Sequence, residues 1–215
     1  VGKLDLMAVM MNRPDGSDPE GRGEFLAFAD CYLNALGFGK DFPLGKSEPL
    51  TKPESRPAVI NPYWTLVHSN DVSSTRFKPS GRDLTAVSDA VALYRSLLED
   101  APDKSVVICA TGFFNNLSKL LAECPDLVGR KVKELRIMGG CFDGSVERDR
   151  NGKGEYNVEG DIPSAARIFE DWPTPIIVTP WEVGTKLGEY RPADVLEDFP
   201  SGAFNPTVRA VYERW

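Results

Sequence analysis

The sequence predicts an α/β fold, a mostly parallel sheet flanked by helices. Three observations carry that prediction. Short apolar runs such as "VVICA", "LRIM" and "PIIV" read as strands. Stretches with apolar residues at i, i+3 and i+4 lie between them and read as helices. The strands are apolar on both faces, the mark of a parallel sheet covered by helices on each side.

"LDLMAVMMN" (Leu4 to Asn12) reads as a short buried strand ending in a polar loop. "EFLAFADCYLNALG" has helical spacing through Phe25, Phe28, Tyr32, Leu33 and Leu36, closed by Gly37. Residues 38–62 hold five prolines and read as loop with at most a short strand, "PAVI". "YWTLVH" is the next candidate strand, before the polar turn "SNDVSS". From Asp83, the spacing of Leu84, Val87, Val91, Tyr94 and Leu98 predicts a helix. "SVVICA" is a strand, "NLSKLLAEC" a helix stopped by Pro125, and "ELRIMGG" a strand with a glycine turn. Cys141 to Gly160 reads as a long polar loop. "IPSAARIFEDW" is a helix with Pro163 in its first turn. "PIIVTP" is a strand, and "PADVLEDF" and "NPTVRAVYERW" are two further helices. No linker divides the chain, so residues 1–215 are read as one α/β domain, incomplete at both ends.

Composition narrows the function. The net charge of −7 and pI of about 4.9 leave no basic face for nucleic acid or an acidic membrane. No apolar run is long enough to span a bilayer. The four cysteines form no C-x-x-C pair, and Cys109 reads as a core residue inside its strand, which suits a reducing, cytoplasmic setting. "GKDFPLGKS" lacks the first glycine of a phosphate loop, since Lys40 stands there. No G-x-G-x-x-G or G-x-S-x-G occurs.

In open α/β sheets, ligands bind beyond the carboxyl ends of the strands. Asn12, His68, Thr111, Gly112, Asn115, Asn116, Met138, Gly139, Gly140 and Trp181 all follow predicted strands. Glycine lets backbone approach a ligand, and asparagine both donates and accepts hydrogen bonds. Such an edge suits a polyhydroxylated small molecule. Trp181 and Phe113 are candidates to stack on a base, although core packing is the favoured reading for each.

Four blocks, "ATGFFNNLSKLL", "KVKELRIMGGCFDG", "EYNVEGDIPSAARIF" and "TPIIVTPWEVG", resemble the inosine–uridine-preferring nucleoside hydrolase family in order and approximate spacing. "LVHSND" and "DAVALYRSLL" upstream fit as well, and the resemblance runs from about Leu4 to Gly184. It implies a nucleoside-hydrolase-like, Rossmann-like fold that hydrolyses the N-glycosidic bond of ribonucleosides to ribose and free base. It further implies a calcium ion that holds the ribose hydroxyls and the attacking water. By motif position the backbone carbonyl of Thr111 is a calcium ligand, Glu155 and Asn157 grip the ribose, and Met138 lies beside the sugar. His68 and Asn12 match substrate-side positions less closely. The resemblance suggests a homo-oligomer.

The chain departs from the family at the aspartate cluster of its first strand and at a late metal-binding aspartate. Asp15, Asp18 and Asp30 lack the spacing to substitute. The chain is therefore read as a piece of a longer enzyme, with no catalytic residue of its own and little or no turnover alone. The rival readings are a non-catalytic ribose- or nucleoside-binding domain and an inactive fragment.

Overall fold

The computed structural model describes residues 5–12, 24–51, 78–143 and 154–187. The candidate strand "YWTLVH", His68, "PAVI" and the two helices expected after residue 188 lie outside the described residues.

The first ordered unit is a βαβ arrangement. Strand β1 (Val9–Met10) leads through helix α1 (Glu24–Ala35) to β2 (Leu44–Gly45), which pairs with β1 in parallel. Leu26, Ala29 and Leu33 of α1 pack with Leu44 and Val87 into a small core, against Val9, Met11, Phe42 and Leu84. Gly37 follows the helix at φ +92, a conformation that glycine adopts without the steric cost of a Cβ. β1 is shorter than expected, and Leu6 and Met7 are exposed. β2 was not predicted, because two residues beside Pro43 carry no periodic signal.

Asp30 and Arg82 tie α1 to the segment after residue 78. The buried Asp30 carboxylate accepts from Ser80 N at 2.9 Å and from Arg82 Nε at 3.1 Å. Arg82 also donates to the Phe42 carbonyl at 2.6 Å.

The predicted helix from Asp83 is broken into two pieces. Leu84–Ala86 form a 3-10 turn capped by Asp83, and α2 (Ala90–Asp100) begins after Val87 turns extended. Lys46 bridges to Asp89 across that gap, and Ala90 N donates to the Lys46 carbonyl. The break lets residues 87–89 run beside β2 before the helix starts.

The second sheet is β3 (Val106–Ala110), β4 (Val132–Met138) and β5 (Ile176–Thr179), all parallel and in that order. The first crossover carries α3 (Asn115–Glu123) and α4 (Pro125–Lys131). The second carries the single turn α5 (Tyr156–Glu159) and α6 (Ile162–Asp171). Among the described residues, helix α7 (Trp181–Leu187) follows β5. α4, α5 and α7 were not separated from loop in the sequence, being too short for a periodic pattern.

Right-handed crossovers in a sheet that grows in one direction place their helices on one side. Ile108, Ala110, Leu135 and Ile137 accordingly face Val91, Leu98, Leu117, Leu120, Val128 and Ile168 in the main core. The opposite face is different. Val107 is 41% exposed, Ile177 is 42% exposed, and Cys109 is exposed beside them. The expectation that Cys109 is a core residue is therefore corrected. An apolar run in sequence cannot say which of its two faces finds a covering layer.

Candidate functional site

The carboxyl ends of β1, β3, β4 and β5 gather most of the predicted rim. Thr111 follows β3 and is exposed. Pairing of Ala110 with Ile137 brings the next positions, Thr111 and Met138, alongside one another. Met138 ends β4 and pairs with Thr179 of β5.

Asn157, buried in the single turn α5, donates through Nδ2 to the Met138 carbonyl at 3.0 Å and contacts its sulfur at 3.0 Å. Glu155 caps that turn. Its Oε1 accepts from Asn157 N at 3.0 Å, and its Oε2 accepts from Val158 N at 3.1 Å and Gly140 N at 2.9 Å. Glu155 is also buried, so its carboxyl group is held in place where the β4 glycine turn meets α5. Gly140 holds φ +78, a conformation glycine adopts freely.

Asn12 lies just past β1 and against Gly112. A Cβ at Gly112 would stand 2.1 Å from Asn12 Nδ2. Glycine at 112 is thus what lets the two strand ends meet. Asn12, Thr111, Met138, Glu155 and Asn157 therefore share one edge of the molecule. His68 lies outside the described residues.

The side chains of Asn115 and Asn116 turn inward. Both are buried. Asn116 donates to the Met11 carbonyl at 2.6 Å and accepts from Glu48 N at 2.8 Å. Asn115 donates to Ser47 Oγ at 3.0 Å and to the Glu48 carbonyl. They fasten the β1 and β2 ends to α3 through these bonds, and the buried Asn115 Oδ1 is left without a hydrogen-bond partner. Lys119 closes the same corner with a 2.6 Å ion pair to buried Glu48, which raises the lysine pKa.

Phe113 is a core residue, as favoured. Its ring packs against Tyr156 at a tilt of 45°, with centroids 5.2 Å apart, and it lies so close to Gly160 that a Cβ there would meet its ring at 2.1 Å. Trp181 is not: it is 42% exposed at the start of α7, where its backbone N–H donates to the Gly140 carbonyl at 2.9 Å. Phe142, 72% exposed in the loop after β4, was missed by sequence reasoning. A lone phenylalanine in a polar loop gives no signal of its own.

Asp161 was missed as well. It accepts from Ser164 Oγ at 2.9 Å as the cap of α6, and from Thr51 N at 3.1 Å and Thr51 Oγ1. Asp followed three residues later by Ser, just before an apolar helix, is a legible capping signal. The distant partner, Thr51, is not legible.

The comparisons bear on this architecture. An inosine-uridine preferring nucleoside hydrolase from Bacillus anthracis superposes with a TM-score of 0.61 at 20% identity, over 83% of this chain and 56% of that one. A plant nucleoside hydrolase gives 0.60 at 23% identity, over 83% and 52%. The purine-preferring ribonucleoside hydrolase from Gardnerella vaginalis gives 0.58 at 19% identity, over 82% and 52%. The fold is thus that of the nucleoside hydrolases. The model of the inosine-uridine preferring nucleoside hydrolase family matches residues 28–212, and the chain belongs to that family. It spans about half the length of the solved structures it matches. No curated protein matches it.

Proposed function

We propose that the parent activity is hydrolysis of the N-glycosidic bond of ribonucleosides, and that this chain supplies the ribose-facing side of the site. The observation that supports this best is the knot of Met138, Glu155 and Asn157, in which Asn157 Nδ2 bonds the Met138 carbonyl and Glu155 bonds Gly140 N. Its members are the residues that the family resemblance assigns to the sugar.

Cleavage builds positive charge on the sugar ring as the base departs. A buried carboxylate already fixed by three backbone N–H groups needs no reorganisation to stabilise that charge. Asn157 and Asn12 would orient hydroxyl groups through their amides, and the thioether of Met138 would pack against the sugar's apolar face. Glu155, with both oxygens occupied by backbone donors, serves as a charge and a brace, and no proton transfer is assigned to it.

In the family reading the cation is calcium, and the Thr111 carbonyl is one of its ligands. Calcium takes six to eight hard oxygen donors. Among the described residues, the group of three metal-capable side chains is Cys141, Asp143 and Glu182. A thiol does not suit calcium, so these residues do not fit it and no step is derived through the ion.

A second reading, ribose or nucleoside binding without turnover by this chain, is favoured by the engagement of both Glu155 oxygens. One experiment separates the two: incubate the 215-residue chain with inosine and with uridine plus calcium, assay free ribose, and measure nucleoside binding by calorimetry. Ribose release supports the hydrolase. Binding without release, lost in Asn157→Ala, supports the binder. Neither signal overturns both.

A further inference from the structure

Asn116 makes two hydrogen bonds whose effect reaches the sugar-facing rim. The residue is 3% exposed at the start of α3. Its Nδ2 donates to the Met11 carbonyl at 2.6 Å, and its Oδ1 accepts from Glu48 N at 2.8 Å. A carbonyl on one side and a backbone N–H on the other leave the amide a single orientation. The β1–β2 ladder ends at this point. Met10 pairs with Gly45, and Met11 N donates to the Gly45 carbonyl at 2.9 Å. Past that bond, the Asn116 amide holds the Met11 carbonyl.

The Met11 carbonyl and the Asn12 N–H belong to one planar peptide unit. Fixing the carbonyl fixes that plane, and with it the direction in which the Asn12 side chain leaves the backbone. The far end of Asn12 is shaped by the same segment of chain. Its amide lies against Gly112, where a Cβ would stand 2.1 Å from Nδ2. The turn and helix start from Gly112 to Asn116 therefore act on both ends of Asn12.

We infer that Asn116 is a positioning residue for the nucleoside site, one that aims the Asn12 amide at a sugar hydroxyl and does not itself touch the ligand. This role rests on the function proposed above, in which Asn12 orients a hydroxyl. A buried amide bonded on both sides stays in place when a ligand arrives. Asn12 then meets the sugar already oriented, and less ordering cost is set against binding.

The test measures inosine and ribose binding to the 215-residue chain by calorimetry, in buffer containing calcium. Asn116→Ala should weaken inosine binding about tenfold. Asn116→Asp keeps an acceptor for Glu48 N but loses the donor to the Met11 carbonyl, and it should weaken binding to the same extent. Lys119→Ala loosens the same corner from the Glu48 side and leaves the Met11 bond in place, so it should change inosine affinity by less than about twofold. A double-mutant cycle separates positioning from general loosening. Asn12→Ala should itself weaken binding, and adding Asn116→Ala to it should cost less than about a further twofold. Circular dichroism establishes that each variant is folded; if Asn116→Ala is not, Asn116→Asp decides. Unchanged affinity in the folded Asn116 variant, an equal loss in Lys119→Ala, no loss in Asn12→Ala, or a full tenfold loss on top of Asn12→Ala overturns the positioning role alone. A wild-type chain that binds neither inosine nor ribose overturns the proposed function and this role with it.

Discussion

Gly112 shows how one missing methyl group can shape a site. Adding a Cβ there would push into the Asn12 amide, which is the far end of a flexible side chain. Gly112→Ala should therefore displace Asn12 at a stability cost of only about 1 kcal/mol. If Asn12 meets the sugar, nucleoside affinity measured by calorimetry falls several-fold more than that cost explains. An unchanged affinity would remove Asn12 from the site. Tyr94 gives a prediction of a different kind. Burial pushes its hydroxyl pKa well above the usual range, with the nearby Cys109 adding to the rise. The folded state then keeps the proton that the unfolded state loses near pH 10. The contribution is complete below that pH and declines above it, with a slope approaching about 1.4 kcal/mol per pH unit. Urea unfolding from pH 8 to 11 should show this decline, and Tyr94→Phe should flatten it.

Among the elements, α6 depends most on one side chain. Asp161 caps the helix and holds Thr51, 110 residues earlier in the chain. Asp161→Ala removes both functions and should destabilise the protein by about 2–3 kcal/mol in chemical denaturation, whereas Asp161→Asn, which keeps an acceptor, should cost about half that. The contrast also marks what the sequence makes legible. α1, α3, α6, β3, β4 and β5 were readable because each repeats an apolar residue at one period over several turns or pleats. β2, α4 and α7 were not, because two to seven residues are too few to fix a period. The site divides in the same way. Met138 was legible as a residue following a strand, whereas Glu155 and Asn157 were named only by their motif positions in the family resemblance. That Asn115 and Asn116 would turn inward onto Met11, Ser47 and Glu48 depends on partners some 70 to 105 residues away, which no local pattern records.

For the molecule as a whole, the asymmetry of the three-stranded sheet is the main lesson. Ile108, Ala110, Leu135 and Ile137 face the main core, and Val107, Cys109 and Ile177 stand on the other side. Cys109 should therefore react with iodoacetamide in the native protein, whereas buried Cys31, whose thiol pKa is raised by burial and by Asp30, should react only after unfolding. Peptide mapping after a short labelling pulse reads this directly; equal labelling of the two would mean that the sheet face is covered in solution. Within the described residues no helix is long and apolar enough to cross a membrane.

The Asn116 amide has a consequence of its own. The two sheets are separate hydrogen-bonded ladders, yet this one side chain grips Met11 beyond the first and Glu48 beyond the second strand of the same pair, from the start of the helix that follows β3. A heating scan of the intact chain should then give a single endotherm whose calorimetric and van't Hoff enthalpies agree. In Asn116→Ala the β1 end loses that grip while Asn115 and Lys119 still hold the β2 end, so the endotherm should stay single and its midpoint should fall by a few degrees.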